Sequence, residues 1–191
     1  MEIMIYFFTF IELILMIAIS ITGIIVIYFM INSCCMHNSP PVPSSGKTKT
    51  AMIEDVTHLL NKKKNQVVMD LGSGWGTLLL PLAKKFPQHH FIGVEYGLLP
   101  YLVSKLRSRN LQNLTFYHQN FFNTDISKAD VILMFLLSHV MPKISTKCQS
   151  EAKEGALLYA NRFPIPNIKA THKISLGSKY DTYYIYKIHR T

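Results

Sequence analysis

Gln66-Val67-Val68-Met69-Asp70-Leu71-Gly72-Ser73-Gly74-Trp75-Gly76 is the stretch that decides the fold. The first six residues have an apolar, partly β-branched centre, which predicts a short buried strand. The strand runs directly into three glycines at alternate positions. Glycine lets the chain turn sharply there and lets a ligand approach the backbone. The segment Thr77 to Phe86 predicts a helix, with Leu78, Leu79, Leu82 and Ala83 on its inner face and Pro87 as its stop. The start of such a helix suits polar or negative groups. A dinucleotide fingerprint needs Gly-x-Gly-x-x-Gly. Here the third glycine comes one residue early, at Gly76, which points to a different nucleoside ligand. Asp70, placed before the glycines, points the same way. The next apolar run, His90 to Glu95, predicts a second strand that ends in an acid, and a carboxylate there can accept from both hydroxyls of a ribose. A bare glycine triplet is a weak signal. The series strand, acid, glycine turn, helix, strand, acid is a strong one.

Downstream the alternation continues. Pro100 to Asn110 predicts a helix, with Lys105, Arg107 and Arg109 toward its C-terminal end, where cations suit the helix dipole. Leu114 to His118, Ala129 to Phe135 and Ala156 to Ala160 predict three more strands, and Pro142 to Glu154 a helix. Lys169 to Leu176 and Thr182 to Ile188 predict a closing pair around Gly177-Ser178. Alternating strands and helices imply a mostly parallel sheet with helices on both faces. The closing pair, with little chain between its members, is expected to be antiparallel.

Asp70-Leu71-Gly72-Ser73-Gly74-Trp75-Gly76, followed by Glu95, resembles motif I and the next acidic position of class I S-adenosylmethionine-dependent methyltransferases. The resemblance implies a Rossmann-like sheet and S-adenosyl-L-methionine as cofactor. It implies that Gly72, Ser73, Gly74 and Gly76 shape the cofactor pocket, that Asp70 sits under the methionine part, that Glu95 binds the ribose, and that Tyr96 flanks the adenine. Many members read the adenine amino group with an Asp after the third strand. The matching region here is Gln119-Asn120-Phe121, so Asn120 is the expected counterpart, with an amide oxygen but no charge.

Upstream, Leu13 to Ile31 carries no charge and is interrupted only by Ala18, Ser20, Thr22 and Gly23. A helix of roughly 20 apolar residues spans a hydrocarbon core of about 30 Å. A cleaved signal peptide would need a basic leader and a shorter apolar core; here Glu2 is the charge ahead of the run, with Glu12 at its edge. A buried core helix is the plain alternative. The length favours a single-pass anchor. The first basic residue is Lys47, so all 20 Lys and Arg follow the apolar run against nine of the 11 acids. The positive-inside rule then places the globular part on the cytoplasmic or mitochondrial matrix side. The basic surplus suits anionic lipid headgroups, or is simply a solvated surface. Nucleic acid is a weak expectation, because no RNA-binding signature accompanies the charge, and no Asn/Asp-Pro-Pro-aromatic motif follows the fourth strand. Three cysteines, Cys34, Cys35 and Cys148, make no Cys/His ligand spacing, so no metal site is expected.

Between anchor and domain, Asn38 to Gly46 is rich in Pro, Ser and Gly and reads as an extended connector. Met52, Ile53, Val56, Leu59 and Leu60 then recur at helical spacing. The expected organisation is an anchor over residues 1–36, a linker with a short helix over 37–65, and a methyltransferase domain over 66–191. The order of hydrophobic helix, Pro41-Val42-Pro43-Ser44, short helix, Asp70-Leu71-Gly72-Ser73-Gly74, Phe116-Tyr117, Arg162-Phe163-Pro164-Ile165-Pro166 and Asp181-Thr182 is similar to one narrower group. These are the membrane-anchored protein lysine methyltransferases that modify the ATP synthase c-ring protein and the adenine nucleotide translocase. Two departures from that group are Trp75, where an acid is usual, and a longer Tyr96 to Leu99.

Methyl transfer to lysine needs a neutral amine held in line with the methyl group. Burial lowers a lysine pKa, and a carboxylate or imidazole can take the proton. His139 after the fourth strand and Arg162 after the fifth are weak catalytic candidates; each also reads as an ordinary surface residue. Pro43, Ser44, Phe163 and Pro164 are expected on the substrate side, with a plain spacer and a plain strand end as the alternatives. Three functions compete: lysine methylation of a membrane-protein substrate, methylation of a lipid or small molecule, and a membrane-tethered cofactor-binding module without turnover.

Overall fold

A computed structural model describes residues 2–35, 46–178 and 180–189. The chain divides into two compact units, Met1–Pro40 and Pro41–Thr191. The connector between Met36 and Ser45, with the substrate-side expectations Pro43 and Ser44, lies outside the described residues.

The first unit holds one helix, α1 (Glu2–Cys35). Its stretch Tyr6–Tyr28 is apolar and long enough to cross a membrane, and none of it is buried against protein. At 1.5 Å per residue, 23 residues reach about 35 Å. Two of its hydroxyl side chains are satisfied by the helix itself. Ser20 donates to the Met16 carbonyl and Thr22 to the Ala18 carbonyl, each at 2.8 Å, so both hydroxyl protons are used inside the helix.

The second unit begins with α2 (Gly46–Lys62), whose buried Thr48, Met52, Val56 and Leu60 recur every four residues and make one inward stripe. Then follow β1 (Val67–Leu71), α3 (Leu79–Lys85), β2 (His90–Glu95), α4 (Leu98–Arg107), β3 (Leu114–His118), β4 (Val131–Met134), α5 (Met141–Glu151), β5 (Leu157–Asn161), β6 (His172–Ser175) and β7 (Thr182–Lys187). Short 3-10 turns occupy Phe121–Asn123 and Ser138–Val140. The seven strands form one sheet in the order β3-β2-β1-β4-β5-β7-β6. Strands β1 to β5 pair in parallel; β7 is antiparallel to both neighbours. This is the expected mostly parallel Rossmann-like sheet, with β7 inserted between β5 and β6 rather than appended to the edge.

Alternate residues of each strand feed two cores. Val68, Phe91, Phe116, Leu133, Tyr159 and Tyr183 pack with α2, α3 and α4 on one face. Met69, Leu71, Val94, Ile132, Met134, Leu158 and Tyr186 pack on the other with α5 and with loop residues such as Ile126 and Ile165. Helix α3 is shorter than Thr77 to Phe86 because the three glycines hold the chain in turns before it. It begins at Leu79, and Pro81 falls in its first turn, where a missing N–H costs nothing.

The edge of the sheet away from the glycine turn is pinned by side chains. His89 is fully buried; its Nδ1 accepts from the Gln66 N–H at 3.0 Å, and its Nε2–H donates to the Leu60 carbonyl at 3.2 Å. The two ring nitrogens together tie α2 to the start of β1. Asp130 accepts from the Val67 N–H at 2.9 Å and from Lys153 at 2.5 Å. On the β7 side, the Tyr183 hydroxyl donates to Asp55 of α2.

The glycine turn rests on one aromatic ring. Gly93 of β2 lies opposite both Asp70 and Phe116 in the sheet. A Cβ at Gly93 would stand 2.3 Å from the Phe116 ring and 2.8 Å from Ser73 Oγ, and a Cβ at Gly76 would stand 2.7 Å from the same ring. Phe116 thus fills the space glycine leaves and supports the turn from below. Gly93→Ala is expected to lower stability by about 2–3 kcal/mol, through overpacking that the rigid ring cannot escape. Urea unfolding of the variant beside the wild type measures this, and an unchanged midpoint would disprove the close fit.

Candidate active site

The order of strands reverses around β1: β2 and β3 lie to one side, β4 and β5 to the other. In such sheets ligands bind beyond the carboxyl ends of the strands at the reversal. The glycine turn occupies that place. Gly72, Gly74 and Gly76 have φ of 78°, 53° and 71°, all in the left-handed region that side-chain-bearing residues rarely adopt. The turn is clamped to β2 through its backbone. The N–H groups of Gly72 and Ser73 both donate to the Val94 carbonyl, at 2.9 and 3.0 Å. From the far side, Arg107 of α4 donates to the Trp75 carbonyl at 2.9 Å.

Glu95 completes the clamp. One carboxylate oxygen accepts from the Gly74 N–H at 2.7 Å and the other from the Gly97 N–H at 2.6 Å. The acid that ends β2 therefore organises the glycine turn. Each oxygen keeps a further lone pair for a hydroxyl donor.

Asp70 is buried at the end of β1, and its Oδ1 has no hydrogen-bond partner among the described residues. Burial, and then the negative charge of Glu95, push its carboxyl up to about 8. Ser73 Oγ is also buried and has no partner among the described residues. Two orphaned polar atoms beside a glycine turn, with open space around Gly74, fit a ligand that brings its own polar groups.

The adenine-side expectations fall close together. Tyr96 is exposed, and its carbonyl accepts from His118 Nε2–H at 2.8 Å. The His118 ring stacks on Tyr101 with centroids 5.2 Å apart. Asn120 caps the turn that follows β3, its Oδ1 accepting from the Phe122 N–H at 2.9 Å. One lone pair of that oxygen is therefore engaged. Phe121 is half-buried and packs against the second core and Phe122.

The catalytic and substrate-side expectations are more scattered. His139 is exposed in the turn after β4. Arg162 follows β5 with a φ of 64°; its N–H donates to the Thr182 carbonyl at 2.7 Å, and its guanidinium lies 4.6 Å from the Tyr180 ring centre and 5.3 Å from that of Phe163. Phe163 is half-buried and Pro164 exposed. Ile165 donates its N–H to the Tyr186 hydroxyl at 2.8 Å, and Ser145 donates to the Pro166 carbonyl, so this loop is held on both sides.

Sequence reasoning missed Asn161. It ends β5 on the same face as Tyr159, and its Oδ1 is the third buried side-chain oxygen without a partner among the described residues. A polar residue closing a parallel strand at the ligand-binding end of the sheet was the available signal. Among the described residues no group of His, Cys, Asp and Glu is arranged to hold a metal.

Comparison with known proteins bears on this geometry. Residues 70–172 match the family described as ANTKMT methyltransferase domain. A protein-lysine N-methyltransferase of Saccharolobus islandicus is 30% identical over 154 residues, a match covering 78% of this chain and 93% of that protein. A Xenopus laevis lysine N-methyltransferase that acts on the c-ring protein of ATP synthase is 29% identical over 154 residues, covering 78% of this chain but 63% of its own length. An RNA methyltransferase from Salinibacter ruber, solved with S-adenosyl-L-homocysteine, superposes with a TM-score of 0.65 at 20% identity, over 78% of this chain and 94% of that one; at that identity the likeness is one of fold.

Proposed function

Since the chain belongs to the ANTKMT methyltransferase domain family, we propose that it methylates lysine side chains on a membrane-protein substrate. It is an S-adenosylmethionine-dependent methyltransferase. The observation that carries the reading is the pair of carboxylates, Asp70 and Glu95, on either side of the glycine turn at the sheet reversal. The membrane part rests on α1, which is apolar enough to span a bilayer and would keep the domain near bilayer-held substrates.

The residues present suit the cofactor. Glu95 would accept from the ribose hydroxyls. Asp70, with its unpartnered oxygen, would face the cationic amino group of the methionine part. Ser73 and the loop backbone would line the remainder, with Tyr96, Asn120 and Phe121 on the adenine side. When bound, S-adenosylmethionine supplies a methyl group already activated by its sulfonium, so the chain's own task is largely one of position. Asn161, at the end of β5, would accept an N–H from the incoming amine and orient its lone pair. Phe163 and Pro164 would border the entry and exclude water, which favours the neutral amine. His139 and Arg162 are the candidates for taking or steering charge at that side.

Membrane fractions incubated with radiolabelled S-adenosylmethionine and the full chain test this. The expected result is label in a protein band that yields methyl-lysine on hydrolysis. Label confined to an organic extract would support a lipid or small-molecule substrate instead. Cofactor binding without transfer to any fraction would overturn the enzyme reading.

A further inference from the structure

Helix α4 presents an apolar stripe to solvent. Leu98, Leu102 and Leu106 recur every fourth residue and are 46%, 50% and 63% exposed. Four-residue spacing aligns them on one face. The inward side of the helix is made instead by Tyr101, which packs on the first core, and by Ser104, which is fully buried. Large apolar residues are thus placed where a freely solvated helix would carry charge.

Beyond Glu95, whose carboxylate holds the Gly97 N–H at the start of α4, the charges along this helix are basic. Lys105 lies three residues from Leu102 on the helix, its ammonium donating to the Tyr101 hydroxyl at 3.1 Å, and Arg109 follows in the turn just beyond the helix end; both are exposed. From Tyr96 to Thr124 the sequence holds no Asp or Glu. Exposed leucines with basic side chains beside them, on a helix that itself carries no acid, match the boundary of a bilayer that contains anionic lipids. The long Lys and Arg stems can follow the leucines inward and leave their charges at the phosphates.

We propose that α4 is a second membrane contact: Leu98, Leu102 and Leu106 enter the headgroup region, and Lys105 and Arg109 meet anionic lipid phosphates. The proposal rests on reading α1 as a membrane anchor. Its consequence is orientation. Helix α4 follows Glu95 and clamps the glycine turn through Arg107, so a bilayer contact there would fix how the cofactor site faces the membrane surface.

The test uses the full chain with Cys34→Ser and Cys35→Ser, reconstituted in phosphatidylcholine vesicles with and without phosphatidylglycerol. A nitroxide is placed in turn at Leu98→Cys, Leu102→Cys and Leu106→Cys, and at Thr146→Cys on the exposed face of α5 as the aqueous reference. In vesicles with the anionic lipid, the α4 labels are expected to be several-fold more accessible to dissolved oxygen than to a water-soluble nickel chelate, with the reverse at position 146. Lys105→Glu with Arg109→Glu should reduce that preference. If the chain floats with the vesicles but the α4 labels behave like position 146, the docking proposal fails and the anchor reading survives. If the chain does not float, both fail. Labels shielded from both reagents would mean that protein covers the stripe, and dipolar broadening between labels would identify a second copy; either overturns the lipid assignment.

Discussion

Alanine at position 95 should weaken S-adenosylmethionine binding by about 100-fold or more. Two contributions add. The carboxylate holds the Gly74 and Gly97 N–H groups at 2.7 and 2.6 Å, and charge-assisted bonds of this kind contribute about 1.5–3 kcal/mol each. Without them the glycine turn loses the partner that keeps Gly74 at a φ of 53°, and the site must be ordered when ligand arrives. The proposed ribose contact is lost as well. Roughly 3 kcal/mol of combined loss corresponds to about two decades in Kd. Glu95→Gln keeps one acceptor oxygen but turns an NH2 group toward the other backbone donor, so its binding should fall between wild type and alanine. Titration calorimetry on the three proteins, with circular dichroism to show that each is folded, measures the series. A folded alanine variant that binds as tightly as wild type would remove Glu95 from the site.

Glu95, which clamps the glycine turn, also shows how much of the site the sequence reveals. The spacing from Asp70 through the glycines to Glu95 can be read directly, because each residue type is forced by a local requirement: a strand end, a left-handed turn, a carboxylate at the next strand end. The sheet was legible for the same reason, since each apolar run is bounded by turn residues. Four features were not. The place of β7 between β5 and β6 depends on Tyr183 and Tyr186 packing into opposite cores and on the Asp55–Tyr183 bond, which joins residues far apart in sequence. The late start of α3 follows from backbone conformations at Gly72, Gly74 and Gly76, where helical periodicity gives no warning. Asn161 is an inconspicuous amide in the chain and becomes notable only when burial leaves its oxygen without a partner. The exposed leucines of α4 belong with these: periodicity predicts a helix there, but only the folded sheet decides which face is left outside.

Asp70→Asn is expected to separate stability from binding, and the sign follows from protonation. The Asp70 carboxyl rises from 3.8 to about 8 on folding, first through burial and then through Glu95. Between those two values the folded state holds a proton that the unfolded state has lost, so this group's contribution to stability is full below 3.8, declines as pH rises, and is gone above about 8. The ligand-free wild type should therefore lose several degrees of Tm between pH 5 and pH 8. Asparagine is uncharged throughout, so that slope should flatten, and the variant should melt above wild type at pH 8. Binding should move the other way. A cationic ligand group beside Asp70 favours the carboxylate, so cofactor uptake by wild type should release a proton near neutral pH and strengthen toward pH 8. Calorimetry in two buffers of different ionisation enthalpy counts that proton. The asparagine variant should release none and bind at least about 100-fold more weakly, since a buried charge partner is gone. A variant that keeps the wild-type pH slope of Tm would show that another group titrates there, and one that keeps tight binding would show that Asp70 does not face the cofactor.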